Sequence, residues 1–168
     1  RPDTVSVLIK DKDDEEYGDG ERLVMTRRFR PGMSIVCTYF SKRVQGKTIE
    51  EIDFSSYPSE WAYTLELASG RILERETGTD AALRIAAAKV GYRIPSEKLK
   101  VVTKLRIGIS QGGDSKHMFY AECGREDRIK DWKEMEGVER VKYGCSKAAQ
   151  MLVNPSHSPP LPPSLFIA

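Results

Sequence analysis

The chain has 168 residues, the size of one ordinary domain, and its 39% hydrophobic and 31% charged residues are typical of a globular protein. Its 27 Lys plus Arg against 25 Asp plus Glu give a formal net charge of +2, which argues against a dedicated nucleic-acid binder. No apolar run approaches the ~18 residues of a membrane span, so no membrane partner is expected. The cysteines, three in number and widely spaced, argue against a disulfide framework and favour an intracellular location, cytoplasmic or nuclear.

The first half of the chain predicts strands and loops. Residues 4–10 and 22–26 are β-branched, apolar runs, which predict two strands joined as a hairpin. The acidic, glycine-bearing segment 11–20 between them is expected to be a solvated loop. Residues 29–59 contain several prolines and glycines and predict a long, irregular excursion. Residues 61–68 alternate between bulky apolar and smaller or polar side chains, which predicts a further strand.

The second half predicts a central helix followed by strands. The alanine-rich residues 79–90 form the helix, with the Thr79 hydroxyl expected to cap its first amide groups and Gly91 expected to end it. Further elements are expected at residues 99–109, 117–123 and 138–143 as strands, and at residues 145–153 as a short helix. This order of elements indicates a mixed α/β fold.

The chain divides into one domain and a tail. We expect residues 1–153 to form the domain and residues 154–168 to form a proline-rich C-terminal tail, because closely spaced prolines cannot pair in a sheet and favour extended geometry. The PxxP spacing of the tail fits the grooves of SH3-like domains. Packing back on the domain and a frayed end are equal alternatives.

Residues 70–92 read GRILERETGTDAALRIAAAKVGY. This segment resembles the Nudix box, G-x5-E-x7-R-E-U-x-E-E-x-G-U, where U is a bulky apolar residue. Gly70, Glu76, Arg84, Gly91 and Tyr92 fall without a gap on its glycine, glutamate, arginine, glycine and apolar positions. The flanking segments RRFRPG, LELASG and HMFYAE are similar to those of the nucleoside-diphosphate-sugar pyrophosphatases, particularly the UDP-glucose pyrophosphatases. The resemblance covers most of the chain and implies a Nudix-type α/β/α sandwich with a mixed sheet and one box helix.

The chain departs from this family where the chemistry is expected. In the family, three box glutamates hold magnesium or manganese against the substrate diphosphate, and the corresponding residues here are Ile85, Ala88 and Lys89. Offsets of three and four residues place them on one helical face, which therefore lacks carboxylates. Magnesium requires oxygen ligands, and a lysine ammonium ~4 Å away repels a cation by ~1 kcal/mol even in bulk water. We therefore expect no catalytic residue, no metal ion and no other cofactor, with Ile85 and Ala88 serving as additional core contacts.

Other residues are expected to shape the site or to bind a ligand. In the family, the residues corresponding to Glu76 and Arg84 form a salt bridge that ties the loop to the helix, a structural role shared with Gly70 and Gly91. Lys89 is either a solvated lysine or a replacement for the missing metal charge that pairs with a diphosphate directly. Arg30 is expected to contact an anion, and Glu66 is expected to line the same ligand site.

Three functions follow from these residues. The first is a non-catalytic Nudix-like module that binds a nucleotide-sugar-like anion or a protein partner. The second is an active pyrophosphatase that cleaves a nucleoside diphosphate sugar with magnesium or manganese held by Glu66, Glu74, Glu76 or Asp80, and with a base drawn from Glu134, Glu136 and Glu139. The third is a dimerisation or interaction domain without a small ligand. The family's homodimers use N-terminal strands that precede the stretch where this chain begins, so a homodimer here would need another interface.

Overall fold

The computed structural model describes residues 3–14, 20–32, 46–53, 55, 62–107 and 113–153. These residues form strands β1 (Thr4–Asp14), β2 (Gly20–Phe29), β3 (Tyr63–Glu66), β4 (Ala68–Arg71), β5 (Lys100–Ile107), β6 (Asp114–Cys123) and β7 (Val138–Gly144), and helices α1 (Gly78–Val90) and α2 (Cys145–Val153). Short 3-10 helices lie at Ile49–Glu51, Ser96–Lys98 and Arg125–Asp127. The expected tail and most of the expected excursion lie outside the described residues.

Strand β1 organises the sheet. The strand order is β3-β2-β1-β6-β5, with β4 also paired to β1 and β7 also paired to β2. One edge of β1 runs parallel to β6 from Thr4 to Asp11. The other edge is divided, because β4 pairs with Thr4–Val7 and β2 pairs with the stretch that begins at Ile9. Strands β4 and β2 therefore pair with successive parts of the same edge of β1.

The two faces of the sheet carry separate cores. Successive residues of a strand point to opposite faces, so Val5 and Val7 lie on one face and Leu8 on the other. The first face packs against α1. The buried residues of α1 in this contact are Ala81, Ala82, Ile85, Ala86 and Val90. The second face packs Leu8 with Met25 and other apolar residues. Helix α2 contacts β2 and β7. The small alanines of α1 allow the helix axis to approach the sheet closely.

The ends of α1 lie close to where the sequence predicts them. Gly91 ends the helix as expected, with φ 75°, and a Cβ at this position would lie 2.7 Å from the ring of Trp132. The expected cap by Thr79 is wrong, because the helix begins earlier, at Gly78. Thr77 is the N-cap, and its Oγ1 accepts a hydrogen bond from the Asp80 amide at 3.1 Å. A threonine two residues upstream takes this role because Thr79 is already in the first turn.

Two predicted strands differ from those observed. The strand expected over residues 61–68 is broken at Leu67, and β4 continues to Arg71, so Gly70 lies in a strand and not in a loop. In β5 the predicted alternation is interrupted, because Val101 pairs with Phe119 while Thr103 pairs with the adjacent Met118. An extra residue between two pairings is a β-bulge, and it moves the residues that follow to the opposite face. No helix within the described ranges is long and apolar enough to cross a bilayer.

The prediction that residues 11–20 form a solvated loop is wrong for its first residues. Strand β1 continues to Asp14, and Asp11 is fully buried. Its carboxylate accepts hydrogen bonds from the Arg128 guanidinium at 2.8 and 3.1 Å and from Lys142 Nζ at 3.0 Å. The Tyr92 hydroxyl also donates to it. Burial alone would raise the pKa of Asp11, but these donors outweigh it and hold the pKa well below its usual range. The buried charge thus joins β1 to β7 and to the segment after the Arg125–Asp127 turn.

Replacing Asp11 by Asn should lower the free energy of unfolding at pH 7 by about 3–5 kcal/mol, because two cations would lose their buried counter-charge. Chemical denaturation measures this loss. The matched control is Glu21→Gln, since Glu21 is exposed and pairs with Lys10 at the surface, where an ion pair contributes little to stability. Equal losses in the two variants would contradict the role assigned to Asp11. Because the folded-state pKa of Asp11 is lowered, its contribution is present above the unfolded-state value and is lost as the pH falls below it.

Candidate functional site

A cleft of about 890 Å³ lies at the Thr4 end of β1, and it is lined by residues of strands β1 to β6 and of helix α1. Among the described residues that line it, six are cationic and one is a carboxylate. The carboxylate belongs to Glu66. The cationic residues are Arg28, Arg30, Arg71, Arg84, Lys89 and Lys116, and we call this space the basic cleft.

The carboxylate of Glu66 is already neutralised. Arg30 donates Nε to Oε1 and Nη2 to Oε2, each at 2.7 Å, and the Thr64 hydroxyl donates to Oε1 at 2.7 Å. Burial raises the pKa of Glu66, but these hydrogen bonds outweigh it and the pKa is lowered. Two parallel bonds from one guanidinium fix both side chains in geometry. The structure therefore brings Arg30 and Glu66 together as partners, and the remaining cleft charge is cationic.

Strand β4 exposes a free edge to α1. Ile72 donates its amide to the Asp3 carbonyl at 2.9 Å, so alternate residues of this segment point toward β1. The carbonyls of Ser69 and Arg71 then point away from β1, because neighbouring residues of a strand direct their backbone groups to opposite edges. Without a donor, these two carbonyls would remain unpaired at the wall of the basic cleft.

Two basic residues of α1 donate hydrogen bonds to these two carbonyls of β4. Lys89 Nζ donates to the Ser69 carbonyl, and Arg84 Nη2 donates to the Arg71 carbonyl at 2.9 Å. Lys89 is half-buried, so the fully solvated lysine considered from the sequence is wrong. Burial lowers the pKa of Lys89, and the nearby guanidinium of Arg28 lowers it further. Lys89 thus presents a partly desolvated ammonium to the basic cleft.

Glu76 and Arg84 form the ion pair that the resemblance implies. Arg84 Nε and Nη2 donate to the two carboxylate oxygens of Glu76 at 2.6 and 2.8 Å, and Glu76 Oε2 also accepts from the Leu73 amide at 2.9 Å. The hydrogen bonds from Arg84, and after them the one from the Leu73 amide, lower the pKa of Glu76 to about 2. This pair joins the loop after β4 to the middle of α1.

Ile85 and Ala88, the other two residues on the helical face where the family has its metal-binding glutamates, differ in burial. Ile85 is buried in the core, as expected, and it fills the space beside Gly70: a Cβ at Gly70 would lie 2.2 Å from Ile85 Cδ1. Ala88 is exposed, so the expectation that it adds to the core is wrong. Its backbone is nonetheless used, because its carbonyl accepts from Trp132 Nε1 at 2.9 Å.

The acidic residues considered for a relocated metal site are not gathered. Within the described ranges no three His, Cys, Asp or Glu side chains are grouped to hold a metal ion. Asp80 accepts from the Thr77 hydroxyl at 2.6 Å at the start of α1. Of the residues considered as a base, Glu134 accepts from the Arg140 amide and Glu139 pairs with Arg27 at 3.2 Å. Among the described residues, the charges that line the basic cleft are therefore mainly cationic.

Sequence reasoning missed Arg71 and Lys116 as cleft residues, and it left Arg28 undecided between a surface role and a role in the site. Arg28 had a usable signal, because it lies two residues from Arg30 and alternate strand residues share a face. Lys116 lies in β6 just before the predicted start of that strand. It is half-buried, and burial lowers its pKa while Glu66 partly restores it. Its place in the cleft depends on pairing between β1 and β6, which no local pattern reveals.

Comparison with known proteins identifies the fold. A scan against protein-family models finds no match, and a search of curated proteins finds none. Among solved structures, one described as "Crystal structure of ADP compounds hydrolase" matches with a TM-score of 0.55 and 18% sequence identity, over 92% of this chain. The expected fold class is confirmed. The chain has a Nudix-like α/β/α sandwich fold. It covers 65% of the length of that structure, and the likeness at this identity concerns the fold.

In this Nudix-like fold, the conformation of the loop between β4 and α1 should depend on the charge of the Glu76 carboxylate. NMR titration of the Glu76 carboxyl should give a midpoint near 2, and Arg84→Met should move the midpoint up toward the ordinary ~4.3. The Leu73 amide resonance should titrate in parallel, because that amide donates to the same carboxylate. Arg75→Met serves as the control, since Arg75 is an exposed neighbour in the same loop. An unchanged midpoint in Arg84→Met would contradict the assigned pairing.

Proposed function

We propose that this domain binds a diphosphate-containing anion, such as a nucleotide sugar, in the basic cleft and does not hydrolyse it. The observation that carries the proposal is the charge of the cleft, in which the carboxylate of Glu66 is neutralised by Arg30 while five other cationic residues line the same space. One of those five, Arg84, is itself paired with Glu76. The cations that remain for a ligand are Arg28, Arg71, Lys89 and Lys116.

Lys89 is the residue that distinguishes this proposal from metal-dependent binding. It occupies a position where the resemblance expects a metal-binding glutamate, and it places an ammonium in the basic cleft. A fixed ammonium can offset phosphate charge directly, which a family enzyme would achieve through a bound dication. Partial burial strengthens the attraction, because charges screened less by water interact more strongly.

A hydrolase is the second candidate function. It is favoured by the structural neighbour, whose description names it a hydrolase of ADP compounds. In this chain such an activity would need metal ligands beyond the paired carboxylates of Glu66 and Glu76. A protein-interaction or homodimer role without a small ligand is the third, and it is the function that would remain if neither binding nor turnover were observed.

Calorimetry and a turnover assay with the same ligands separate these functions. We expect UDP-glucose, ADP-glucose and inorganic pyrophosphate to bind in the presence of EDTA, with no release of nucleoside monophosphate when magnesium or manganese is added. The double variant Arg28→Met/Lys116→Met should weaken binding at least ~100-fold, because each charged hydrogen bond contributes ~1.5–3 kcal/mol. Lys104→Met is the control for lost charge, since Lys104 is an exposed β5 residue outside the cleft lining. Binding abolished by EDTA, or metal-dependent turnover, would contradict the proposal.

Anion binding should also be linked to protonation of Lys89. The pKa of Lys89 is lowered in the free cleft, whereas an anion beside the ammonium favours its charged form and raises the pKa again. Affinity should therefore fall as the pH rises through the lowered value, while ordinary surface lysines are still charged. Calorimetry in buffers of different ionisation enthalpy should detect proton uptake on binding in this range. Lys89→Arg should reduce that proton uptake, because a guanidinium stays protonated. Unchanged uptake in this variant would show that a residue other than Lys89 takes up the proton.

A further inference from the structure

The floor of the basic cleft is a row of residues that crosses the sheet from a cationic side chain at one end to an aliphatic side chain at the other. Arg71 pairs with Thr4, Thr4 pairs with Lys116, and Lys116 pairs with Leu105. Residues directly opposite each other on neighbouring strands share a face, so all four point to the same side. With strands ~4.8 Å apart, the row spans roughly 14 Å from Arg71 to Leu105. One end of the floor is therefore cationic and the other is aliphatic.

The aliphatic end continues beyond this row. Ile107 lies two residues after Leu105 on the same face of β5 and also lines the cleft. Ile107 is 40% exposed, and Leu105 is partly exposed. Single exposed apolar residues are ordinary on protein surfaces. Here, however, Leu105 and Ile107 line one cleft with the cations that would hold a phosphate.

The polar groups of the cleft are poorly matched to a sugar. Sugar hydroxyls need acceptors as well as donors, and carboxylates are strong acceptors. The carboxylate of Glu66 already accepts three hydrogen bonds, from Arg30 and Thr64. The carbonyls of Ser69 and Arg71 are also occupied, by Lys89 and Arg84. Among the described lining residues, the hydroxyls of Thr4 and Ser69 are then the main acceptors left, and the Ser69 hydroxyl is bonded to Ser6.

We infer that the ligand of the basic cleft is a soluble organic diphosphate whose ester group is aliphatic rather than a sugar. Its phosphates lie at the cationic end, against Arg28, Lys89 and Lys116, and its hydrocarbon group lies on Leu105 and Ile107. Charge complementarity fixes the head group, and burial of apolar surface fixes the tail. This inference rests on the proposed function and narrows it to one class of diphosphate.

A homologous series of ligands tests the hydrocarbon end separately from the phosphate end. Calorimetry compares inorganic pyrophosphate with methyl, butyl and octyl diphosphate and with UDP-glucose. Each methylene that becomes buried should tighten binding about two- to fourfold, so octyl diphosphate should bind at least ~50-fold more tightly than methyl diphosphate. Octyl diphosphate should also bind more tightly than UDP-glucose.

Variants at the aliphatic end locate the effect. Leu105→Ala and Ile107→Ser should each reduce the advantage of octyl over methyl diphosphate at least about fivefold, whereas the affinity for pyrophosphate should change much less. Val101→Ser is the matched control, because Val101 is a 71% exposed residue of the same strand outside the cleft lining. An equal affinity along the alkyl series, or tighter binding of UDP-glucose, would overturn the inference while leaving anion binding intact. Failure of pyrophosphate and every ester to bind would overturn the proposed function as well.

A last arm separates a soluble ester from a lipid surface, which offers the same phosphate and hydrocarbon chemistry. Phosphatidylcholine vesicles containing phosphatidic acid are sedimented with the protein. The domain should remain in the supernatant at concentrations that are saturated by octyl diphosphate. Sedimentation of the unsubstituted domain that is lost in Leu105→Ala and Ile107→Ser would overturn the inference in favour of a membrane surface.

Discussion

The ion pair between Arg30 and Glu66 sets the electrostatics of the basic cleft. By donating to both oxygens of that carboxylate, the Arg30 guanidinium balances the negative charge of Glu66. Among the described lining residues, no other carboxylate balances the remaining cations. This excess of positive charge is the reason for proposing an anionic ligand. A free glutamate at the same place would have made the same set of residues ambiguous between metal and phosphate binding.

Helix α1 is tied to the sheet by contacts that need no metal ion. Lys89 and Arg84 bind the outward carbonyls of β4, Ile85 fills the space that Gly70 leaves, and the Ala88 carbonyl accepts from Trp132. The side chains of Arg84, Ile85 and Lys89 thus each have a structural contact of their own. These contacts hold the helix and the loop before it against β4.

Local patterns in the sequence predicted much of the fold but only part of the cleft. Gly91 and the box spacing located α1, since capping and helical periodicity depend on neighbouring residues. Asp11 was misplaced in a loop because its partners Arg128 and Lys142 are 117 and 131 positions away in the chain. Lys116 was missed for a similar reason, as its neighbours in the cleft come from pairing between distant strands. The bulge after Val101 likewise depends on register against β6, which alternation within β5 does not encode.

The buried charge of Asp11 lies at the opposite end of β1 from Thr4, seven residues and roughly 23 Å from the cleft floor. Substitutions at such distances combine almost independently. One cleft side chain can therefore be exchanged for another while the buried anchor at Asp11 stays untouched. The chemistry of the cleft and the stability of the fold can thus change separately.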